Sequence, residues 1–447
     1  MTDETPNHSP EPPESKKSIW STLGPGLVSG ASDNDPSGIA TYSQAGAKFG
    51  YGLLWMAPFT FPLLLAVQEM CARIGVVSGK GLSELIKENH SKQILYVVTS
   101  LLLIANTINI GADIGAMSAA LRLLIPDVPF IASTLLFTGI ILAGEIILPY
   151  RIYAKVLKYL TLALLFYVVT AFVVLQGTSE WLNIMTASII PHFELDKSFI
   201  LMIVAVLGTT ISPYLFFWQT AQEVEEEVKS GKVKEMGDKN IPKRRVTKKE
   251  IKRVRIDVFA GMAVSQLIMW FIIITTASTL HQNGITDIAS AEEAAKALEP
   301  VVKGSPYSGK LASGMFAAGI IGMGLLSIPV LAASSAYAVS EELGWKEGLY
   351  KKFRQAPKFY GIIIASTIIG LWINFSEIGP IQALIYAAVI NGIISIPLLI
   401  VILKIANNRK VLGDKVNGKV SNIVSIITVV VMAIAAAALV AYQWVIG

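Results

Sequence analysis

The residues best placed to do chemistry lie in one apolar stretch near the N-terminus, residues 24–50. It reads GPGLVSGASDNDPSGIATYSQAGAKFG and holds Asp35, Pro36 and Gly38 in its middle. Proline and glycine interrupt helices, so the stretch predicts a membrane helix that is broken at this point. Such breaks persist where they line a cavity or hold a ligand. Because an ionised carboxylate in a bilayer costs a few kcal/mol, Asp35 is predicted to bind a cation rather than only to cap a helix.

The composition is that of a membrane protein with many spans. Hydrophobic residues make up 53% of the 447, charged residues make up 15%, and the mean hydropathy is +0.58. The chain has one cysteine, Cys71, which excludes an internal disulfide and a thiolate metal cluster. All four histidines fall outside the apolar segments. No catalytic constellation is visible, so we expect neither an enzyme nor a bound cofactor.

Apolar windows separated by charged breaks predict eleven spans. They cover residues 20–47, 51–75, 93–122, 128–148, 153–176, 198–223, 256–280, 309–340, 359–376, 379–403 and 421–446. With the N-terminus inside, all but six of the 37 Lys and Arg residues are cytoplasmic; the six are Lys48, Arg122, Lys197, Lys296, Lys303 and Lys310. This asymmetry predicts a plasma-membrane protein with a cytoplasmic N-terminus and an external C-terminus.

The sixth span repeats the anomaly of the first. It contains Gly208, Ser212 and Pro213 in the run VLGTTISPYLFFW. Two broken helices five spans apart predict a pair of inverted five-helix repeats, with a substrate site where the breaks meet near the midplane. The predicted organisation is a disordered tail at 1–18, repeats at 19–176 and 177–403, and a loop with helix 11 at 404–447. The second repeat includes a basic cytoplasmic loop at 227–255 and an outer loop at 281–307, whose role the sequence does not indicate.

Two further features leave alternatives open. Asp113 lies among small residues in the third span, where it either faces an ion pathway or packs against a neighbouring helix. The basic run 243–255, KRRVTKKEIKRVR, is typical of nucleic-acid binding, but its position between two spans favours the ordinary attraction of cytoplasmic loops to anionic lipid. The expected partners are therefore a metal ion and the bilayer, with no nucleic acid and no protein partner indicated.

The first broken helix resembles that of the NRAMP divalent metal transporters, which share the leucine-transporter architecture. Their hallmark is Asp-Pro-Gly-Asn followed by Phe-Ala-Thr and Gln-Ala-Gly-Ala, matched here by DPSGIATYSQAGA from Asp35. The stretch QEMCARIGVVSGKGLSEL, residues 68–85, is similar to the end of the family's second helix. The resemblance implies an all-α membrane protein with a leucine-transporter-like inverted repeat of five plus five helices, helices 1 and 6 broken at the midplane, and an extra eleventh helix.

The departures from the family pattern concern the metal ligands. The resemblance places Asp35 at the metal-binding aspartate and Gly38 at the metal-binding asparagine. In the sixth helix Thr209 stands where the family supplies a backbone carbonyl, and Ser212 stands at the family's methionine. Tyr214 and Gln219 replace two histidines, and they are expected to line an enlarged pocket.

The family's proton-linked helix 3 acids are also absent: the best register gives Ala112 and Gly115, with Asp113 one position away. Replacing a thioether by a hydroxyl removes the preference for transition metals, and carboxylate, hydroxyl and carbonyl oxygens suit a largely hydrated Mg²⁺. Loss of the titrating groups removes the means of proton coupling. The pattern looks like the NRAMP-related magnesium transporters and predicts uncoupled Mg²⁺ import, with Mn²⁺ also carried.

Two rival functions follow from the same residues. The first is a proton-coupled Mn²⁺ or Fe²⁺ importer of the classical NRAMP type that has moved its ligands, with Asp113 as the titrating acid. The second is a sodium-coupled symporter of small organic solutes on the same architecture. Against the symporter, Asp35 would repel a carboxylate substrate.

Overall fold

The computed structural model describes residues 24–147, 161–177, 179–194, 196–236, 246–303, 307–375 and 378–445. Every regular element within these ranges is a helix, which confirms the all-helical prediction. Nine helical stretches in the described part of the chain are long and apolar enough to cross a membrane. The predicted tail at 1–18 and the first third of the fifth predicted span, residues 153–160, lie outside the described residues.

Fifteen helices of eight or more residues occur in the described ranges. In the first half they are α1 Pro25–Ser32, α2 Pro36–Phe49, α3 Met56–Ser78, α4 Leu82–Asn89, α5 Lys92–Leu124, α6 Phe130–Ile147, α7 Leu165–Leu175 and α8 Glu180–Ile189. In the second half they are α9 Lys197–Thr210, α10 Pro213–Lys229, α11 Lys248–Thr279, α12 Ser308–Leu343, α13 Pro357–Trp372, α14 Pro380–Ala406 and α15 Lys419–Val445.

Helix α11 begins eight residues earlier than the hydropathy pattern predicts, at Lys248 rather than 256. Thr247 and Glu250 explain the difference, because they form a capping box. The Thr247 hydroxyl accepts from the Glu250 backbone N–H at 3.2 Å, and the Glu250 carboxylate accepts from the Thr247 N–H at 2.8 Å. Lys248 and Lys249, which the sequence placed in the basic loop 227–255, are therefore helical.

Close backbone contact holds α1 against α11. A side chain at Gly26 or Gly30 would collide with the α11 backbone, at Val258 and Gly261 respectively. The start of α1 is also fixed by Asp257 of α11, whose carboxylate accepts from the backbone N–H groups of Gly24 and Gly26 at 2.8 and 2.7 Å. These orphan donors at the helix start therefore gain a charged partner.

The long helix α5 occupies the centre of the bundle, where it packs against α12, α13 and α14. Its residues 105–106, 109–118 and 120 are buried. The segments 79–91, which includes α4, and 230–236, 344–356 and 407–418 meet at one end of the bundle, which we call the basic face. The opposite face carries the loops at 125–129, 281–303 and 373–375, with a short helix at Ala291–Ala295.

Candidate functional site

The first break separates α1 from α2 at residues 33–35, and proline chemistry explains it. Pro36 occupies the first position of α2 and lacks an N–H, so the carbonyl of Ser32 loses its helical donor. The Tyr214 hydroxyl replaces that donor and bonds the Ser32 oxygen at 2.7 Å. Asp35 caps α2 by accepting from the Gly38 N–H at 2.7 Å. The Ser32 carbonyl and the Gly38 N–H, which flank the break, therefore each have a specific partner.

The second break separates α9 from α10 at Ile211 and Ser212, and it follows the same rule. Pro213 deprives the Thr209 carbonyl of its helical donor. The Ser212 hydroxyl lies 2.7 Å from that carbonyl oxygen and 2.8 Å from the carbonyl oxygen of Gly208. Ser395 of α14 donates to the Ile211 oxygen at 2.7 Å. In this conformation the Thr209 carbonyl is thus bonded by Ser212.

The two breaks meet at Gly38. A Cβ atom at this position would lie 3.1 Å from the carbonyl oxygen of Asp33 and 3.3 Å from the hydroxyl oxygen of Thr209. Glycine therefore allows the two broken helices to approach closely, with oxygen atoms from both beside Gly38. The structure brings Asp35, Gly38 and Thr209 together, and it places Ser212 one helical turn from Thr209.

Helix α5 adds a neutral amide and a second carboxylate to the region around the two breaks. Asn109 donates from Nδ2 to the Asp35 Oδ2 at 3.0 Å. Asp113, one turn further along α5, accepts from the Ser327 hydroxyl at 3.2 Å. The carboxylates of Asp35 and Asp113 lie within electrostatic range of each other, and the backbone N–H of Ser37 lies near both. Asp113 is fully buried and Asp35 is 2% exposed.

A third carboxylate, Asp33, belongs to the same region and was not singled out from the sequence. Its Oδ2 accepts a short hydrogen bond from Ser265 of α11, while its charge interacts with that of Asp35. Its Oδ1 accepts no hydrogen bond from the described residues. The sequence signal was a second acid only two residues before Asp35, in a segment already predicted to be buried.

Asn109 is a second site residue that the sequence analysis did not identify, and the sequence pattern indicates it less strongly than Asp33. It is a polar residue exactly one helical turn before Asp113 in an apolar span, so the two share a face of α5. The Asn109 Oδ1 is buried and has no hydrogen-bond partner in the described structure. Together with Asp33 Oδ1, it is a buried oxygen that a ligand or its water could engage.

The two predicted pocket residues of α10 have other contacts in this conformation. The Tyr214 hydroxyl is engaged with Ser32, as described above. Gln219 lies further along α10, where its Oε1 accepts from the Ser29 hydroxyl at 2.5 Å and its Nε2 donates to Glu223 at 2.9 Å. Both residues join α10 to neighbouring groups, and the structure does not bring Gln219 to Asp35. Their role in lining a pocket stays a prediction.

A cavity of about 350 Å³ opens on the face opposite the basic face. Its lining includes Arg122, Phe130, Asn374 and, deepest along α5, Gly111 and Ala112. Asp113 is not among the lining residues, and the carboxylates of Asp35 and Asp113 are shielded from solvent. We describe the conformation as occluded, with a vestibule on one side.

The donor set is mixed rather than a cluster of strong metal ligands. Among the described residues, no three His, Cys, Asp or Glu side chains are gathered as they would be in a resident metal centre. Single carboxylates, amides, hydroxyls and backbone oxygens surround the breaks instead. Oxygen atoms of these kinds are the ligands that hard cations prefer.

The fold is that of helical membrane transporters. The structure superimposes on the manganese transporter of Eremococcus coleocola, in complex with an aromatic bis-isothiourea substituted compound, with a TM-score of 0.70 at 16% identity, over 97% of this chain and 90% of that one. Mhp1, a nucleobase-cation-symport-1 family transporter, gives 0.60 at 13% identity, over 95% and 92%. These similarities concern the fold alone.

The family is established by sequence. The pattern of the Nramp family, natural resistance-associated macrophage protein-like, matches residues 26–442, and the chain belongs to this family. Among its relatives, the divalent metal cation transporter MntH of Klebsiella pneumoniae (strain 342) is 25% identical over 290 residues, and MntH of Yersinia pestis (strain Pestoides F) is 26% identical over 296. The matches cover 63% and 64% of this chain, and 63% and 66% of those relatives.

Proposed function

We propose that this protein is a divalent metal cation transporter that imports Mg²⁺ by alternating access, with Mn²⁺ as a second substrate. The observation that carries the proposal is the oxygen donor set where the two breaks meet. Asp35 supplies the charge and accepts from the Asn109 amide nitrogen, and oxygens of Asp33 and Thr209 lie beside Gly38. Ser212 stands at the position where the family resemblance places a methionine. Oxygen donors favour hard cations such as Mg²⁺.

The number of side-chain ligands supports transport of an ion that keeps part of its water shell. Mg²⁺ gives up its waters reluctantly and is usually held by one or two carboxylates plus water. Where the resemblance places a ligating asparagine, Gly38 supplies no side-chain ligand, which leaves more of the coordination shell to water. The buried oxygens Asp33 Oδ1 and Asn109 Oδ1 are suited to accept hydrogen bonds from such waters.

Transport without proton coupling is part of the proposal. Tyr214 and Gln219 stand where the family has two histidines. Ala112 and Gly115 stand where the best register places the family's two helix 3 acids. These residues do not titrate near neutral pH. No coupling ion is required energetically, because a divalent cation gains about 4 to 5 kcal/mol across an inside-negative potential of about 100 mV, which corresponds to about a thousandfold accumulation.

The proposed topology has eleven spans with the basic face in the cytoplasm. The nine long apolar helices, the α1–α2 pair and the segment that ends at residue 175 account for the eleven. We propose that helices 1 to 5 and 6 to 10 form the two inverted repeats. The vestibule near Arg122 would then be the external entrance, and the Asp257 contacts would close the cytoplasmic side at α1.

The second candidate is a proton-coupled Mn²⁺ or Fe²⁺ importer, and one observation favours it. Met117 lies one turn beyond Asp113 on α5 and packs against Gly324 of α12. A thioether on this helix is a soft donor that could serve a transition metal. The sodium-coupled symporter is less well supported, since Asp33 beside Asp35 adds a second acid that would repel an anionic substrate.

Uptake into liposomes tests the proposal. We expect purified protein to carry Mg²⁺ and Mn²⁺ inward, and Asp35→Ala to abolish uptake of both. Asp127→Ala is the matched control, because Asp127 is an exposed aspartate on the loop at 125–129. Equal Mg²⁺ uptake by wild type and Asp35→Ala would refute the assigned site, and Mn²⁺ uptake with no Mg²⁺ uptake would favour the second candidate. Met117→Leu should leave the preference between the two metals unchanged.

A further inference from the structure

A strongly basic groove lies at the basic face, away from the ion site. It is a cavity of about 480 Å³ between the end of α3, the start of α11 and the segment that leads into α15. Five cationic side chains line it: Arg73, Lys248, Lys252, Arg255 and Lys415. We call this set the basic groove. Asp414 is the acidic residue in its lining.

Local ion pairs neutralise only part of this charge. Glu69, beside the groove, pairs with Arg73 at 3.1 Å and with Arg255 at 2.8 Å. Asp414 pairs with Lys415 at 3.0 Å. Within the described part of the chain, neither remaining lysine of the groove forms an ion pair. Five cations therefore face two carboxylates, and the groove keeps a net positive charge that can attract an anion.

Helical spacing directs the α11 cations to one side. Lys248, Lys252 and Arg255 stand at positions i, i+4 and i+7, so they form a stripe along α11. Both lysines are exposed, and the free ends of their side chains can reach a phosphate.

The floor of the groove is rigid. The Arg73 side chain is buried, donates to the backbone oxygen of Lys415 at 2.6 Å and bonds Asn417. These contacts tie the segment before α15 to α3. The walls of the groove are thereby held at a fixed separation, as a binding site requires.

Apolar side chains continue directly from the cationic ones on both walls. On α11, Ile256 is 57% exposed and Phe259 is 51% exposed. On α15, Val420 is 75% exposed and Ile423 is 58% exposed. A charged groove that continues into exposed apolar surface matches an amphiphile with an anionic head and acyl chains, whereas a soluble phosphate would use only the charged part.

We propose that the basic groove binds the phosphate headgroup of an anionic phospholipid, whose acyl chains lie along α11 and α15. The exposed pair Lys248 and Lys252 supplies the direct contacts to the phosphate. Arg73 and Arg255 contribute fixed positive charge from the floor and wall. The bound lipid bridges α11 and α15 over α3 and stabilises their arrangement.

Thermal unfolding of the detergent-solubilised protein tests this site. Added phosphatidylglycerol should raise the unfolding temperature more than phosphatidylcholine does. Lys248→Gln/Lys252→Gln should lose at least half of that difference, and Lys248→Arg/Lys252→Arg should keep it. Lys346→Gln/Lys352→Gln removes the same charge elsewhere on the basic face and should behave as wild type.

Two results would overturn the proposal. A full phosphatidylglycerol effect in the Lys248→Gln/Lys252→Gln variant would show that the lipid acts elsewhere. Equal stabilisation by glycerol 3-phosphate at the same phosphate concentration would show that the ligand is a soluble phosphate. Neither result depends on transport, so the lipid site and the proposed Mg²⁺ import are tested separately.

Discussion

The amide nitrogen of Asn109 donates a hydrogen bond to the Asp35 carboxylate at 3.0 Å, which joins the central helix α5 to the first break. This contact orients one carboxylate oxygen, while the Gly38 N–H holds the other at 2.7 Å. These two donors fix the orientation of the Asp35 carboxylate and therefore the position of its negative charge. The geometry of the proposed ion site thus depends on a neutral side chain as well as on the acid.

Asn109→Ala tests this dependence. A hydrogen bond to a charged group is worth about 1.5 to 3 kcal/mol. We therefore expect the KM for Mg²⁺ uptake to rise at least about tenfold while the protein remains folded. Asn106→Ala is a suitable comparison, because Asn106 lies on the same helix and bonds Leu331 and Ser335 instead. An unchanged KM in Asn109→Ala would contradict the positioning role.

Gly38→Asn combined with Ser212→Met tests the basis of metal selectivity. The asparagine would add an amide ligand at the tightly packed contact with Asp33 and Thr209, and the methionine would supply a soft sulfur donor. We expect Mg²⁺ uptake to fall about tenfold or more and Mn²⁺ uptake to be retained, as measured by competition between the two ions in liposomes. A double variant with the wild-type preference would show that these positions do not determine selectivity.

Tyr214→Phe tests how the first break is stabilised. The change removes the donor to the Ser32 carbonyl, which Pro36 has already deprived of its helical partner. A buried acceptor left without a partner costs about 1 to 3 kcal/mol, so the unfolding temperature should fall. Tyr96→Phe, at an exposed tyrosine of α5, should leave it unchanged. Equal unfolding temperatures for both variants would mean that the carbonyl has another donor.

Glu347 in the loop after α12 should make stability depend on pH. Burial, with the carboxylates of Glu341 and Glu84 nearby, raises the pKa of Glu347 well above its usual range. A raised pKa means that the folded state binds a proton that the unfolded state has released, so this contribution is present at low pH and is lost as pH rises through the folded-state pKa.

Glu347→Gln should therefore raise the unfolding temperature at pH 8 and change it little at pH 4. The neutral amide mimics the protonated acid at both pH values. The measurement is a series of thermal unfolding curves between these limits. A gain that is the same at both pH values would show that ionisation of Glu347 is not responsible.

The sequence was sufficient for the parts of the fold that depend on local chemistry. Pro36 and Pro213 marked both interruptions, because a proline cannot supply the N–H that a helix needs at that position. Hydropathy located the long helices, although it placed the start of α11 eight residues too late. The first turns of this helix are rich in Lys and Arg, so they do not register as an apolar segment. Thr247 and Glu250 carried the missing signal, since they form a capping box.

The sequence was less informative about contacts between distant helices. Asn109 meets Asp35, and Asp33 meets Ser265, across 74 and 232 positions of the chain. Such pairs follow from tertiary packing, which residue spacing does not encode. Gln219 is a further example. The sequence predicted that it lies in the sixth span, but its hydrogen-bond partner Ser29 depends on how α1 packs against α10.

The most direct test of the central claim is simultaneous measurement of metal and proton entry into liposomes under an inside-negative potential. Mg²⁺ is added outside, and internal Mg²⁺ and pH are followed with two dyes. We expect Mg²⁺ to enter without acidification and Mn²⁺ to behave in the same way. We expect Asp35→Ala to abolish the entry of both metals. Acidification that follows Mn²⁺ entry while Mg²⁺ remains outside would contradict uncoupled magnesium import.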